Sequence, residues 1–365
     1  MVIRDVFAEI DLGAIRHNLT EIRRRVKSKL CTVVKANAYG HGAVQVAQVA
    51  VECGTDFLAV ATVAEGLELR YAGFEQPILI LGLIPHEAAQ VVVENNLTQA
   101  VADIELAEKI SAAAVRLDKI ARVHLKIETG MGRIGADPKV AVDLAKKISA
   151  LPNVEVEGLF SHFADADSPD RTFTRRQIEI FASTAEKIRA SGVDIKIRHI
   201  AESAAILDIA EAHFDMCRAG IITYGLYPSD DVRRTIELRP AMKLVARVVQ
   251  LKKIPAGTSI GYGRDFVAER DSVIATLPLG YADGYIRAYK NFHVDIGGQL
   301  APIAGRICMD QTMIDATGLD VHVGDEVILF GSDAISIDDA ARHLNTINYE
   351  VTCLVSSRVP RIFVA

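Results

Sequence analysis

Hydrophobic positions divide the first two-thirds of the chain into two alternating textures. Short apolar runs rich in branched residues fall at 32–35, 57–60, 78–81, 99–101, 123–127, 156–160, 195–200 and 214–217. They read as strands buried on both faces. Between them, residues 43–52, 65–71, 104–115, 140–150, 174–190 and 204–210 show helical spacing. Eight strands joined by helical crossovers predict a (β/α)8 barrel more than an open sheet. Asp11 precedes an amphipathic stretch and is positioned to cap a first helix. No G-x-G-x-x-G follows the first barrel strand, which weighs against a dinucleotide-binding fold.

After about residue 240 the texture changes. Runs at 245–254, 273–277, 293–296, 299–307, 312–315 and 326–330 read as strands. Pro-Ala-Gly, Gly-Gly, Thr-Gly and Val-Gly-Asp turns separate them. The expected class is therefore α/β, a TIM-type barrel at 11–240 followed by a mostly β domain at 241–365. Residues 1–10 alternate well enough to donate one strand to the second domain.

Composition narrows the function classes. The chain has 365 residues, 50% hydrophobic, with a formal net charge of -6. That is length enough for one large domain and a smaller one. Charge is mixed, with no basic block, so nothing points to nucleic acid or an anionic membrane surface. No apolar run reaches the roughly 20 residues of a spanning helix. The start, Met1-Val-Ile-Arg-Asp, has no signal-peptide pattern, and a cytoplasmic location is the expectation. The five cysteines, Cys31, Cys53, Cys217, Cys308 and Cys353, are scattered without C-x-x-C spacing. They read as reduced core thiols rather than as disulfides or metal ligands.

Candidate chemistry gathers at strand ends. The stretch Cys31-Thr-Val-Val-Lys-Ala-Asn-Ala-Tyr-Gly-His-Gly42 ends an apolar run on Lys35 and then turns on glycines into a helix. Barrel enzymes keep their chemistry at such strand ends. Desolvation there neutralises a lysine and makes its amine a base and a nucleophile. A lone strand-end lysine more often snorkels to the surface. Leu125-Lys-Ile-Glu-Thr-Gly-Met-Gly-Arg-Ile-Gly135 ends another strand in a glycine-rich loop, with Arg133 offering a planar fork to a carboxylate or phenolate. Arg198-His-Ile-Ala-Glu-Ser-Ala-Ala205 puts Ser203 at a helix start after the seventh strand, a place suited to phosphate. Met216-Cys-Arg-Ala-Gly-Ile-Ile-Thr-Tyr-Gly-Leu226 brings Arg218 to the end of the eighth.

These motifs resemble the alanine racemase family, and the resemblance extends over almost the whole chain. It rests also on Gly158-Leu-Phe-Ser-His-Phe-Ala164, Gly261-Tyr-Gly-Arg-Asp-Phe266, Gly280-Tyr-Ala-Asp-Gly-Tyr285, Gly305-Arg-Ile-Cys-Met-Asp-Gln311, Asn345-Thr-Ile-Asn-Tyr-Glu-Val351 and Ser356-Ser-Arg-Val-Pro-Arg361. It implies a pyridoxal 5'-phosphate enzyme that interconverts L- and D-alanine, supplying D-alanine for peptidoglycan. By resemblance, Lys35 and Tyr262 are the two catalytic bases, and Lys35 also carries the cofactor. Tyr39, His162, His199, Ser203, Arg218, Gly220, Ile221 and Tyr349 would hold that cofactor. His199 would stack on the pyridine ring, and His162 would hydrogen-bond an arginine and the catalytic tyrosine. Arg133, Met309, Tyr281 and Asp310 would receive the substrate. Lys126 matches a position that many members carry as a carbamylated lysine, although an ordinary ion-paired lysine suits the sequence as well. The family assembles as a homodimer whose active sites are shared between subunits.

Two departures from the family pattern stand out. Glu128 replaces the usual aspartate, with little consequence expected. Glu202 replaces the usual asparagine of H-x-A-N-S. A carboxylate beside a phosphate is unfavourable unless it turns away or pairs with Arg198 or another cation. Basic amino-acid decarboxylases of a related fold use an acidic partner at the pyridine nitrogen, so Arg218 and Tyr262 argue against them. The β domain argues against a non-catalytic cofactor carrier. A serine or broad-specificity racemase of the same fold stays open.

Overall fold

The computed structural model describes residues 4–365. The chain forms two compact units. One comprises Ala14–Ala38 and Gly42–Arg239, and the other comprises the chain up to Gly13, Tyr39–His41 and Pro240–Ala365. In chain order the first strand, β1 (Val6–Asp11), belongs to the second of these.

The larger unit is a parallel sheet of eight strands. They are β2 (Lys29–Val33), β3 (Phe57–Val60), β4 (Ile78–Ile80), β5 (Thr98–Val101), β6 (Ala121–Lys126), β7 (Val154–Phe160), β8 (Ile197–His199) and β9 (Met216–Ala219). Their order, β8-β7-β6-β5-β4-β3-β2-β9, leaves only the β8/β9 seam without a regular ladder. Two backbone bonds bring that seam together, Asp215 N–H to Arg198 O and Arg218 N–H to Ala201 O, both 3.0 Å. The predicted barrel is thus present and nearly closed. Leu58, Leu79, Ile80, Val123, Leu125 and Leu159 are fully buried. A parallel strand covered on both faces needs such continuous apolar sequence.

Helices cap where local sequence allows. Asp103 accepts from Leu106 N–H to start helix Ile104–Arg116. Thr62 and Glu65 form a reciprocal capping box at the start of Val63–Tyr71. Asp11 ends β1, in register with Val364, and stands directly before helix Leu12–Arg25, the position expected of it. A short helix, Ala89–Glu94, fills the crossover between β4 and β5, where too few apolar positions repeat to show a period.

The smaller unit is built on a six-stranded sheet. Its later strands are β10 (Met242–Arg247), β11 (Gln250–Ile254), β12 (Ser259–Ile260), β13 (Phe266–Val267), β14 (Ser272–Leu277), β15 (His293–Ile296), β16 (Gln299–Pro302), β17 (Thr312–Asp315), β18 (Glu326–Phe330) and β19 (Arg361–Val364). The sheet order is β16-β15-β18-β10-β1-β19, and β11-β14-β17 and β12-β13 form two further sheets. β1 runs antiparallel to β10 and parallel to β19. Residues 1–3 of the expected N-terminal strand lie outside the described residues. The apolar run 245–254 reads as one strand by pattern, yet the chain changes sheets within it, at Val248-Val249. Two helices in this unit, Ile337–Leu344 and Asn348–Leu354, are absent from the strand-only expectation. Among the described residues no helix is long and apolar enough to cross a membrane.

Candidate active site

β2 ends at Val33, so Lys35 lies two residues past the strand. The glycines alone do not make the turn that follows. Ala36, Asn37, Ala38 and Tyr39 all have φ of 52–53°, a left-handed turn built from side-chain-bearing residues. That conformation costs about 1–2 kcal/mol per residue. Hydrogen bonds hold it. Ala36 N–H donates to the Glu65 carboxylate at 2.7 Å, and Ala43 N–H donates to Asn37 Oδ1 at 2.9 Å. Gly42 N–H donates to Asn37 O at 2.9 Å. Below the turn, Tyr224 Oη donates to Val33 O at 2.7 Å. Such strain persists only where surrounding contacts over-determine the conformation, as these hydrogen bonds do around Lys35.

Arg218, at the end of β9, is the hub of the barrel interior. Its guanidinium is buried and donates to His199 Nδ1 at 2.8 Å, Ser161 O at 2.9 Å, Ile200 O at 3.0 Å and His162 Nδ1 at 3.2 Å. Burial lowers its pKa to about 10, still far above neutral pH, so the group stays cationic. Burial, then the charges of Arg218, Arg133, Lys126 and Lys35, hold His162 well below the ordinary histidine range. His199 is depressed in the same direction by burial, Arg218, His124 and Lys126.

His199 departs from its expected place. Its ring is fully buried and stacks on Phe160, with centroids 4.9 Å apart and planes within 3°. Its second nitrogen, Nε2, lies 2.8 Å from Nδ1 of His124, whose own Nε2 lies 3.1 Å from Glu157. His199 therefore serves the site from behind Arg218, through a bond to it. His124 and Glu157 escaped the sequence reading. The available signals were a histidine inside an apolar strand run and Gly158 on the neighbouring strand. A Cβ on Gly158 would come within 2.6 Å of the His124 ring, so the glycine makes room for it.

After β6, Glu128 accepts from the backbone N–H groups of Gly130 and Gly132 and shapes the loop that carries Arg133. Lys126 is buried and donates to Ile127 O at 2.9 Å. Burial chiefly, with Arg218 and Arg133, lowers its pKa to about 8, against a smaller opposing pull from Glu128.

After β8, Ser203 Oγ accepts from Gly220 N–H at 3.0 Å, joining the two segments expected to hold phosphate. Ile221 opens a short 3-10 helix beside it. Glu202 caps the helix that follows: its carboxylate takes Ala204 N–H at 2.8 Å and Ala205 N–H at 3.1 Å at the start of helix Ser203–Asp208. Arg198 pairs with Asp215 at 2.7 Å instead.

In the smaller unit, Tyr262 stands 70% exposed after Gly261, whose φ is +73°. Gly261, Tyr262, Cys308, Met309, Asp310, Gln311 and Met313 line a groove of about 610 Å³. Tyr281 N–H donates to Cys308 O, and Ala282 N–H to Met309 O, so the Tyr281 and Met309 segments are zipped together. A Cβ on Gly280 would come within 2.2 Å of Cys308 O, so only glycine permits that approach. Asp310 accepts from Arg358 at 2.7 Å, and Arg358 also approaches the buried Asp283, which Arg4 binds at 2.8 Å. The rings of Tyr39 and Tyr349 lie 6.0 Å apart in this same unit.

Comparison with known proteins bears on the family and the fold. The family "Alanine racemase, N-terminal domain" matches residues 10–228, and "Alanine racemase, C-terminal domain" matches 241–363. An alanine racemase of Methanococcus maripaludis is 48% identical over 371 residues, covering all of both chains. An alanine racemase structure from Clostridium difficile superposes with a TM-score of 0.98 at 43% identity, covering 100% of this chain and 97% of that one. One from Bacillus anthracis, solved with bound L-Ala-P, superposes with a TM-score of 0.95 at 36% identity, covering 100% and 96%. With both domain families matched in sequence and the barrel superposed on solved members, the chain belongs to the alanine racemase family.

Proposed function

We propose that this chain interconverts L- and D-alanine with pyridoxal 5'-phosphate, working in the cytoplasm as a homodimer and supplying D-alanine for peptidoglycan. The observation that carries the reading is the buried Arg218 guanidinium, which makes no ion pair with a carboxylate among the described residues. A charged group so placed and so oriented suits a neutral ring-nitrogen acceptor. The other donors fit the same cofactor. Lys35 supplies an amine for the Schiff base, and Ser203, Gly220 and Ile221 supply a hydroxyl and backbone amides for a phosphate. Tyr39 and Tyr349 add two phenols in the smaller unit.

The cofactor, held by Lys35 at rest, would supply an electron sink for the α-proton once the amine of the amino acid takes the place of Lys35, whose own amine is then free to act as a base. The remaining work belongs to side chains. Racemisation removes that proton from one face and returns it to the other, which one base cannot readily do. Lys35 takes the proton from D-alanine, and Tyr262 of the partner subunit takes it from L-alanine. Arg133 holds the substrate carboxylate, with the Met309 backbone and Asp310 completing its pocket and Tyr281 lining the entrance. Arg218, whose pKa stays near 10, would donate to the ring nitrogen of the cofactor without protonating it. His162 passes the influence of Arg218 to Tyr262.

The test is proton NMR of the loaded protein with L-alanine in D₂O, with a chiral assay of the same sample. Loss of the α-proton signal and a rise of D-alanine to an equal mixture are expected. Lys35→Ala and Tyr262→Phe then apportion the directions, each losing about 10²- to 10⁴-fold in the step its base performs. Exchange without D-alanine would overturn the two-base reading. A serine arm of the same assay separates alanine racemisation from broad specificity.

A further inference from the structure

We propose that Gln177 is a positioning residue for racemisation, holding the loop that carries Arg133 and the loop that carries His162 in one arrangement. The inference rests on the roles given above to those two residues. Gln177 lies within helix Thr172–Ala190, fully buried. All its amide atoms are committed. Oε1 accepts from Ala164 N–H at 3.0 Å. Nε2 donates to His162 O at 3.2 Å and to Thr129 Oγ1 at 3.1 Å. The first two bonds grip the segment around His162, and the third grips the loop after β6.

The bonds have one direction. Ser161 Oγ donates its proton to Ile127 O at 2.8 Å. It therefore accepts from Thr129 Oγ1, 2.7 Å away. The Thr129 hydroxyl then accepts from Gln177. A reversed amide would set its oxygen against the His162 carbonyl, so the network admits one state. Ser161 carries the chain further, because its carbonyl accepts from Arg218 at 2.9 Å. One turn earlier on the helix, Phe173 packs against Gly130 so closely that a Cβ there would come within 2.7 Å of the ring. The helix thus touches the Arg133 loop twice.

Arg133 needs this outside support. Among the described residues no hydrogen bond or ion pair holds its exposed side chain. Its placement comes from the backbone of its loop. A buried, fully satisfied polar network specifies one arrangement where an apolar filling would tolerate several. Displacement by about 1 Å of a group that orients substrate is enough to cost up to a hundredfold in rate.

Four variants of the loaded enzyme, each with kcat, KM for L-alanine, thermal midpoint and cofactor absorbance, test the proposal. Gln177→Met keeps the size and removes both grips, and kcat/KM falls about tenfold or more. Thr129→Val removes the grip on the Arg133 loop together with the Thr129–Ser161 bond, and leaves the two bonds from Gln177 to the His162 segment in place, so KM rises about tenfold while kcat stays within about twofold. Thr129→Ser keeps the hydroxyl and restores KM. Phe181→Leu, on the same helix and buried in the core, lowers the thermal midpoint and leaves KM unchanged. Normal kinetics in Gln177→Met and Thr129→Val overturn the proposal, as does a Thr129→Ser variant no better than Thr129→Val. Should Gln177→Met fail to fold, the Thr129 pair decides. A wild type that binds cofactor without racemising alanine refutes the function instead, before any variant is compared.

Discussion

His124 Nδ1 lies 2.8 Å from His199 Nε2, and this contact sets the direction of a buried hydrogen-bond chain. Arginine only donates, so His199 Nδ1, 2.8 Å from Arg218, must accept. His199 then carries its proton on Nε2 and gives it to His124 Nδ1. His124 in turn carries its proton on Nε2 and gives it to Glu157, 3.1 Å away. Burial alone would raise Glu157, but the His124 hydrogen bond and nearby cationic charge reverse that and leave it below the ordinary range. Glu157→Leu leaves the His124 N–H buried without an acceptor. Stability is expected to fall by about 1–3 kcal/mol. Urea unfolding of the variant reads this, and an unchanged midpoint would contradict the assigned direction.

The two depressed histidines predict acid sensitivity. Below about pH 6.5 an unfolded chain protonates His162 and His199, whereas the folded chain does not. Their contribution is therefore complete above that pH and is lost as pH falls below it. The slope approaches about 1.4 kcal/mol per pH unit for each histidine. Urea unfolding between pH 7.5 and 5.5 should show this fall, with His162→Gln flattening part of it. A variant whose curve keeps the full slope would count against His162.

Lys126, with its pKa lowered to about 8, presents a neutral amine at mildly alkaline pH. Only that form reacts with CO₂ to give a carbamate. With ¹³C-bicarbonate, a carbamate carbon signal is expected that strengthens as pH rises through 8. Lys126→Ala should lack it. A signal of equal strength in the variant would place the modification elsewhere.

Glu202 makes a testable exception to the family pattern. Burial raises its pKa, against the pull of the two helix N–H groups. The stabilisation its proton provides is present below the ordinary carboxyl value and is lost as pH rises through the raised one. Asparagine caps the same helix without a charge to bury. Glu202→Asn should have the higher thermal midpoint at pH 7, with the difference shrinking towards pH 5. A variant less stable at pH 7 would mean that the carboxylate is stabilising there.

The alternation of apolar runs with helical spacing determined the barrel, because a strand covered on both faces needs apolar sequence whatever surrounds it. The motifs around Lys35, Arg218 and Tyr262 placed the candidate chemistry for a similar reason, since residue type and spacing are local quantities. What sequence left undecided depends on partners distant along the chain. The left-handed turn after Lys35 is held partly by Glu65. Glu202 faced a choice between Arg198 and a helix start, and Asp215 had already taken Arg198. His199 reads as a cofactor contact until His124 and Phe160 are seen around it. The run 245–254 changes sheets at a point its hydrophobicity does not mark. Gln177 is an ordinary helix residue in the sequence and acquires its meaning only where Thr129, His162 and Ala164 converge on its amide. Hydrophobic period reports which face is buried, whereas a hydrogen bond needs two groups within about 3 Å, and only tertiary folding brings these together.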